Sequence, residues 1–160
     1  MGVLPSAKPG EVRSEAVPRN DQEFRNYLRR NMSSTENKPL PSAEERAKIA
    51  AQIIAENKGT DIKILDLREI TRVFDFFVIA SGTSRRQLHA SSDEIDDRFE
   101  KEMGDRRRGI EGYQESRWIV LDYGDVVVHL FEPEKREFYA LDELWGNARE
   151  IPFVPPAAAQ

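Results

Sequence analysis

The chain contains no cysteine and only two histidines, His89 and His129, among its 160 residues. Without cysteine there are no disulfides, no thiolate zinc sites and no cysteine nucleophile, and nothing points to an oxidising compartment. Two histidines with no third ligand placed nearby do not make a metal site. No cofactor is expected. No apolar run approaches the roughly twenty residues of a membrane span, and the N-terminus lacks the basic-then-apolar design of a secretory signal. Five acids among residues 1–40 also count against an organelle transit peptide. The expected location is the cytoplasm.

A surplus of positive charge is missing too. The net charge is −5, and residues 1–40 hold seven Lys/Arg against five Asp/Glu, which leaves the remainder at −7. An acidic domain does not wrap nucleic acid by neutralising phosphates; it is drawn to a basic protein.

What is present is organised around Trp118-Ile-Val-Leu-Asp-Tyr-Gly-Asp-Val-Val-Val-His-Leu-Phe131. Two β-branched runs meet at Gly124-Asp125, a pair suited to a tight two-residue turn. The hairpin this predicts sets Tyr123 opposite Val126, Leu121 opposite Val128, Ile119 opposite Leu130 and Trp118 opposite Phe131. One face, Ile119, Leu121, Tyr123, Val126, Val128 and Leu130, is uniformly apolar and must be buried. The other sets Trp118, Val120 and Asp122 against Phe131, His129 and Val127. A covered face is not normally given Asp and His, nor a merely solvated one Trp and Phe. This face is predicted to be a docking surface, and the candidate partner-binding residues are Trp118, Val120, Asp122, Tyr123, Asp125, His129 and Phe131.

Residues 1–40, rich in Pro, Ser, Asn and charge, are predicted to be a disordered extension in which Asp21 to Met32 has the spacing of a short helix. Residues 41–147 form the domain and 148–160 a flexible tail. Ser42 and Glu45 stand at capping-box spacing before a helix with Ala47, Ala50, Ile53 and Ile54 on its buried side, ended by Gly59. Asp61 to Leu67 and Phe74 to Ser81 read as strands. Ser84 and Gln87 cap a second helix whose stripe is Leu88, Ser92, Ile95, Phe99 and Met103. Arg106, Arg107 and Arg108 read as a solvated loop. Pro133 opens a last helix, with Phe138, Leu141, Leu144 and Trp145 spaced to pack on the sheet. The predicted class is α/β, or α+β, with a mixed sheet of about five strands and flanking helices in one domain.

Two enzymatic patterns are incomplete. Ser81 or Ser84 with His129 as base and Asp122 as its orienting acid would be a nucleophile set, yet no Gly-x-Ser-x-Gly occurs. A magnesium-dependent nucleotidyltransferase needs two carboxylates one residue apart on a strand after a Gly-Ser turn. Gly82 to Ser84 mimics the turn, but Asp96 and Asp97 are adjacent on a helix, and Asp122 and Asp125 flank a turn. No catalytic residue is assigned.

Asp75-Phe-Phe-Val-Ile79, Gly82-Thr-Ser84 followed by Arg86, Glu111-Gly112, the hairpin through His129, and Tyr139-x-Leu141-x-x-Leu144-Trp145 together resemble the ribosomal silencing factor family, RsfS, also called Iojap or YbeB. The resemblance covers about residues 42–146. It implies a nucleotidyltransferase-like fold and a non-enzymatic translation factor that binds the large ribosomal subunit through ribosomal protein uL14 and blocks joining of the small subunit. It leaves room for a minor contact with ribosomal RNA and for a homodimer when free. The alternative is the magnesium-dependent nucleotidyltransferase.

Overall fold

The structure, a computed structural model, describes residues 20–32 and 39–156. Its contacts divide the chain into two units, Met1–Pro39 and Leu40–Gln160. In the first, helix α1 (Asp21–Met32) lies where the spacing predicts one, and the Asn20 side chain caps it by accepting from the Glu23 N–H at 2.8 Å. The disorder expected of residues 1–40 otherwise falls outside the described residues.

In the second unit, helix α2 (Ala43–Glu56) begins with the expected capping box: Ser42 Oγ accepts from the Glu45 N–H while Glu45 accepts from the Ser42 N–H, both at 3.2 Å. Ala47, Ala50 and Ala51 are fully buried, and their small side chains let α2 lie close against the sheet. Gly59 ends the turn, because a Cβ there would sit 2.3 Å from the Ile54 side chain. Strands β1 (Thr60–Asp66) and β2 (Phe76–Ser81) follow. Helix α3 (Arg85–Met103) starts on Ser84, whose hydroxyl accepts from the Gln87 N–H at 3.1 Å, and stops at Gly104 in the left-handed region.

Then come β3 (Gly109–Glu111), β4 (Trp118–Asp122) and β5 (Val126–Phe131), the short helices α4 (Pro133–Tyr139) and α5 (Leu141–Leu144), and β6 (Arg149–Ile151). The strands make one mixed sheet in the order β3-β4-β5-β2-β1-β6, with β2 and β5 parallel at its centre and every other pair antiparallel. All twelve residues of β2 and β5 are buried, which is what a central parallel pair covered on both faces requires.

The two faces are covered unequally. Nineteen buried residues join α2, α3 and one sheet face in the main core, whereas the opposite face holds a cluster of seven, Leu65, Leu67, Phe77, Ile79, Val127, Phe131 and Leu141. The first face therefore carries most of the folding energy at roughly 2 kcal/mol per large apolar side chain buried. The second keeps partly open aromatics, Phe74, Trp118 and Trp145, at its margin.

Three sequence expectations change. The sheet has six strands rather than about five, because β3 and β6 are three-residue edge strands too short to show alternation. Arg149–Ile151, placed in a flexible tail by the sequence, pairs with β1 and buries Ile151. The last helix is broken at Ala140 (φ 47°, ψ 44°), so Phe138, Leu141, Leu144 and Trp145 do not share one helical face. Leu141 is buried, but Phe138 and Leu144 are 75% and 72% exposed.

Candidate partner-binding surface

The β4–β5 register is the predicted one: Trp118 faces Phe131, Ile119 faces Leu130, and Leu121 faces Val128. Ile119, Leu121, Tyr123, Val126, Val128 and Leu130 all lie in the core under α2 and α3. The mixed face is built in two levels. Phe131, His129 and Val127 on β5 are buried beneath it, while Trp118, Val120 and Asp122 on the outer strand β4 remain partly accessible. Neighbouring strands differ because β5 lies between two full-length strands, β4 and β2, whereas β4 has only the three-residue edge strand β3 on its outer side.

Trp118 stacks on Phe131 with ring centres 4.8 Å apart and meets Tyr139 of α4 at 4.7 Å. Its indole N–H donates to His129 Nδ1 at 3.2 Å, which leaves Nε2 as the protonated nitrogen of the neutral ring. Phe77 closes on His129 edge-to-face at 4.6 Å. Burial pushes the imidazole pKa down to about 4, so His129 is neutral near pH 7 and serves as an acceptor that orients the indole. Beside it Phe74, Phe77, Val120, Asp122 and His129 line a hollow of about 290 Å³.

Four predicted site residues are reassigned. Phe131 and His129 are the floor of the surface, not its contact layer, at 0% and 6% exposure. Tyr123 points to the opposite face, packs on Phe99 at 4.6 Å and donates to Asp96 at 3.0 Å; burial and the nearby carboxylate raise its pKa. Asp125 is bound within the chain: Arg46, 2% exposed, bonds it with both terminal nitrogens and reaches Asp105 at 2.8 Å. Burial works against the Arg46 charge, yet the two carboxylates outweigh it and raise its pKa. The same burial raises the Asp105 pKa, whereas hydrogen bonds from Arg46 overcome it at Asp125 and lower that one. The expected Asp122–His129 contact is not made either. Asp122 Oδ1 accepts from the Gly124 N–H at 2.8 Å, which fixes the turn.

The segment before β4 positions Trp118 in a way the sequence did not reveal. Gly112 lies at φ 75°, and a Cβ there would stand 1.9 Å from the Trp118 carbonyl oxygen. Ser116 is buried, its Oγ 2.6 Å from His89 Nε2, and that nitrogen is also 2.7 Å from the Tyr113 carbonyl. A carbonyl only accepts, so Nε2 carries the hydrogen, and Ser116 donates its own to Tyr113 at 2.9 Å. The pair fastens a turn rather than forming a nucleophile and base. Of the two nucleophile candidates read from the sequence, Ser81 accepts from Arg136 at 2.9 Å and Ser84 is occupied as a helix cap. Among the described residues no group of three or more His, Cys, Asp or Glu is gathered closely enough to hold a metal ion.

Residues 40–160 match the family model described as ribosomal silencing factor during starvation, RsfS. The chain is 42% identical over 101 residues to the ribosomal silencing factor RsfS of Bacillus subtilis, an overlap of 63% of this chain and 85% of that one. A crystal structure of a Chromobacterium violaceum protein superposes with a TM-score of 0.63 at 34% identity, covering 74% of this chain and 97% of that one. Another relative, mouse mitochondrial assembly of ribosomal large subunit protein 1, is 36% identical over 95 residues, 58% of this chain and 42% of its own.

Proposed function

Because the chain belongs to the ribosomal silencing factor (RsfS) family, we propose that it docks on the large ribosomal subunit through ribosomal protein uL14 and, by occupying that face, keeps the small subunit from joining and so represses translation. The observation that carries this reading is the two-level surface: the partly accessible β4 side chains Trp118, Val120 and Asp122 over a rigid aromatic floor. A half-open tryptophan held by a stack and a hydrogen bond has little rotamer freedom left to lose, which is the condition for an interface anchor. Asp122 uses one oxygen on the Gly124 N–H, and the other has no partner among the described residues. It is available to a lysine or arginine, in keeping with a domain charge of −7 and a basic partner.

Occupancy alone is the activity, without turnover, and the setting is the cytoplasm. Titration calorimetry of the full chain into isolated uL14 is the experiment. Saturable 1:1 binding that weakens as salt is raised is expected; the absence of heat or of a complex by gel filtration at tens of micromolar would rule the partner out.

A further inference from the structure

We infer that helix α4 is a second docking element, presenting Phe138 and Tyr139 to a basic, apolar-bearing segment of the partner protein; this rests on the reading that the chain binds the large subunit.

α4 is an unusual helix in this fold because none of its seven residues is buried. A helix this short is not stable on its own, and surface helices ordinarily gain their stability from an apolar face turned to the core. α4 is held by other means. Arg136 donates to the Asp61 carbonyl at 2.5 Å, to Ser81 at 2.9 Å and to both oxygens of Asp142 at 3.3 and 2.8 Å, and Lys63 also lies 3.5 Å from Asp142. Ala140 turns the chain sharply in the left-handed region, and Leu141 is buried just after it. The elbow is therefore pinned by a polar clamp and one apolar plug, while Phe138, 75% exposed, and Tyr139, 47% exposed, face solvent.

The open rings continue the surface already described. Phe138 meets Tyr139 edge-to-face at 5.1 Å and Tyr139 meets Trp118 at 4.7 Å, so a line of aromatic contacts runs from β4 onto α4. The charge beside it selects the occupant. Glu134 and Glu137 are exposed and form no ion pair among the described residues, while Arg136 is turned inward, leaving Lys135 over the Phe138 ring as the one outward cation of α4. Apolar rings beside unpaired carboxylates fit a protein segment with lysine or arginine next to apolar side chains, and they repel RNA phosphates.

The test compares binding of the full chain to purified large subunits by sedimentation for the unaltered protein, Phe138→Ser, the double variant Glu134→Lys/Glu137→Lys, Trp118→Ala, and two controls at exposed valines elsewhere, Val73→Ser and Val154→Ser. Phe138→Ser and the charge variant should each bind about tenfold or more weakly, with unchanged unfolding midpoints, while both controls bind normally. The second docking element is overturned if Phe138→Ser binds like the unaltered protein while Trp118→Ala does not, or if the charge variant binds more tightly, as an RNA contact would require. If the unaltered chain itself fails to sediment, the large-subunit reading falls and α4 loses its partner with it, an outcome distinct from failure of α4 alone.

Discussion

The Trp118 indole N–H donates to His129 Nδ1 across the β4–β5 pair, at 3.2 Å. This bond holds the outward ring in place only while the imidazole is neutral, since a protonated ring has no lone pair to offer. With its pKa held near 4 in the fold and about 6.5 in the unfolded chain, His129 binds its proton more readily when unfolded. Its contribution is therefore complete above about pH 6.5 and is lost as the pH falls toward 4. Between pH 7.5 and 5 the loss from this residue should be about 2 kcal/mol. Urea unfolding at the two pH values should show a fall in stability that is smaller by that amount in His129→Phe; an identical fall in both proteins would mean that His129 is not the titrating group.

Arg46 joins α2 to the hairpin turn through Asp125 and to the end of α3 through Asp105. Replacing it with methionine removes the cation hydrogen-bonded to both carboxylates and leaves only the weaker pull of Arg108 on Asp105, which is itself largely buried. A loss of about 3 kcal/mol in unfolding free energy is expected, at the low end for a broken buried pair because Asp125 is partly open to water. The double variant Arg46→Met/Asp105→Asn should recover part of it. Chemical denaturation checks both, and a neutral effect of Arg46→Met would show that the network is not structural.

Gly112 combines a positive φ with direct contact on the Trp118 carbonyl. Gly112→Ala must move one segment or the other, at a cost of about 2–4 kcal/mol. Because the displaced atom belongs to Trp118, affinity for large subunits should fall further than in a core variant of matched stability, such as Ile95→Ala. Denaturation curves read beside sedimentation separate the two effects.

The hairpin was legible in the sequence because a period of two and a Gly-Asp turn allow only one register that buries a single face. Both long helices were legible from Ser42 and Ser84, whose caps depend on local spacing alone. The parallel β2–β5 pairing was not, since strands far apart in sequence carry no mark of their neighbours. α4 was misjudged because helical spacing was carried through Ala140, and alanine gives no warning of a left-handed turn. Arg46 reads as an ordinary charge in a capped first turn, and only the fold brings Asp105 and Asp125 to it. Asp125 was accordingly expected to meet a partner protein. The mixed composition of the hairpin face is legible in the sequence, but alternation does not say which of two paired strands lies deeper, and only the fold shows His129 and Phe131 buried beneath Trp118 and Val120.

Trp118→Ala tests the central claim most directly. Truncating a well-packed interface tryptophan commonly costs about 2–4 kcal/mol of binding, a factor of about thirty or more. Purified large and small subunits are mixed with the unaltered chain or with Trp118→Ala, the latter confirmed as folded by circular dichroism, and joined particles are quantified on a sucrose gradient. The account predicts that the unaltered chain suppresses joining and that Trp118→Ala restores it to nearly the level without factor. A folded Trp118→Ala protein that suppresses joining as well as the unaltered chain would contradict it.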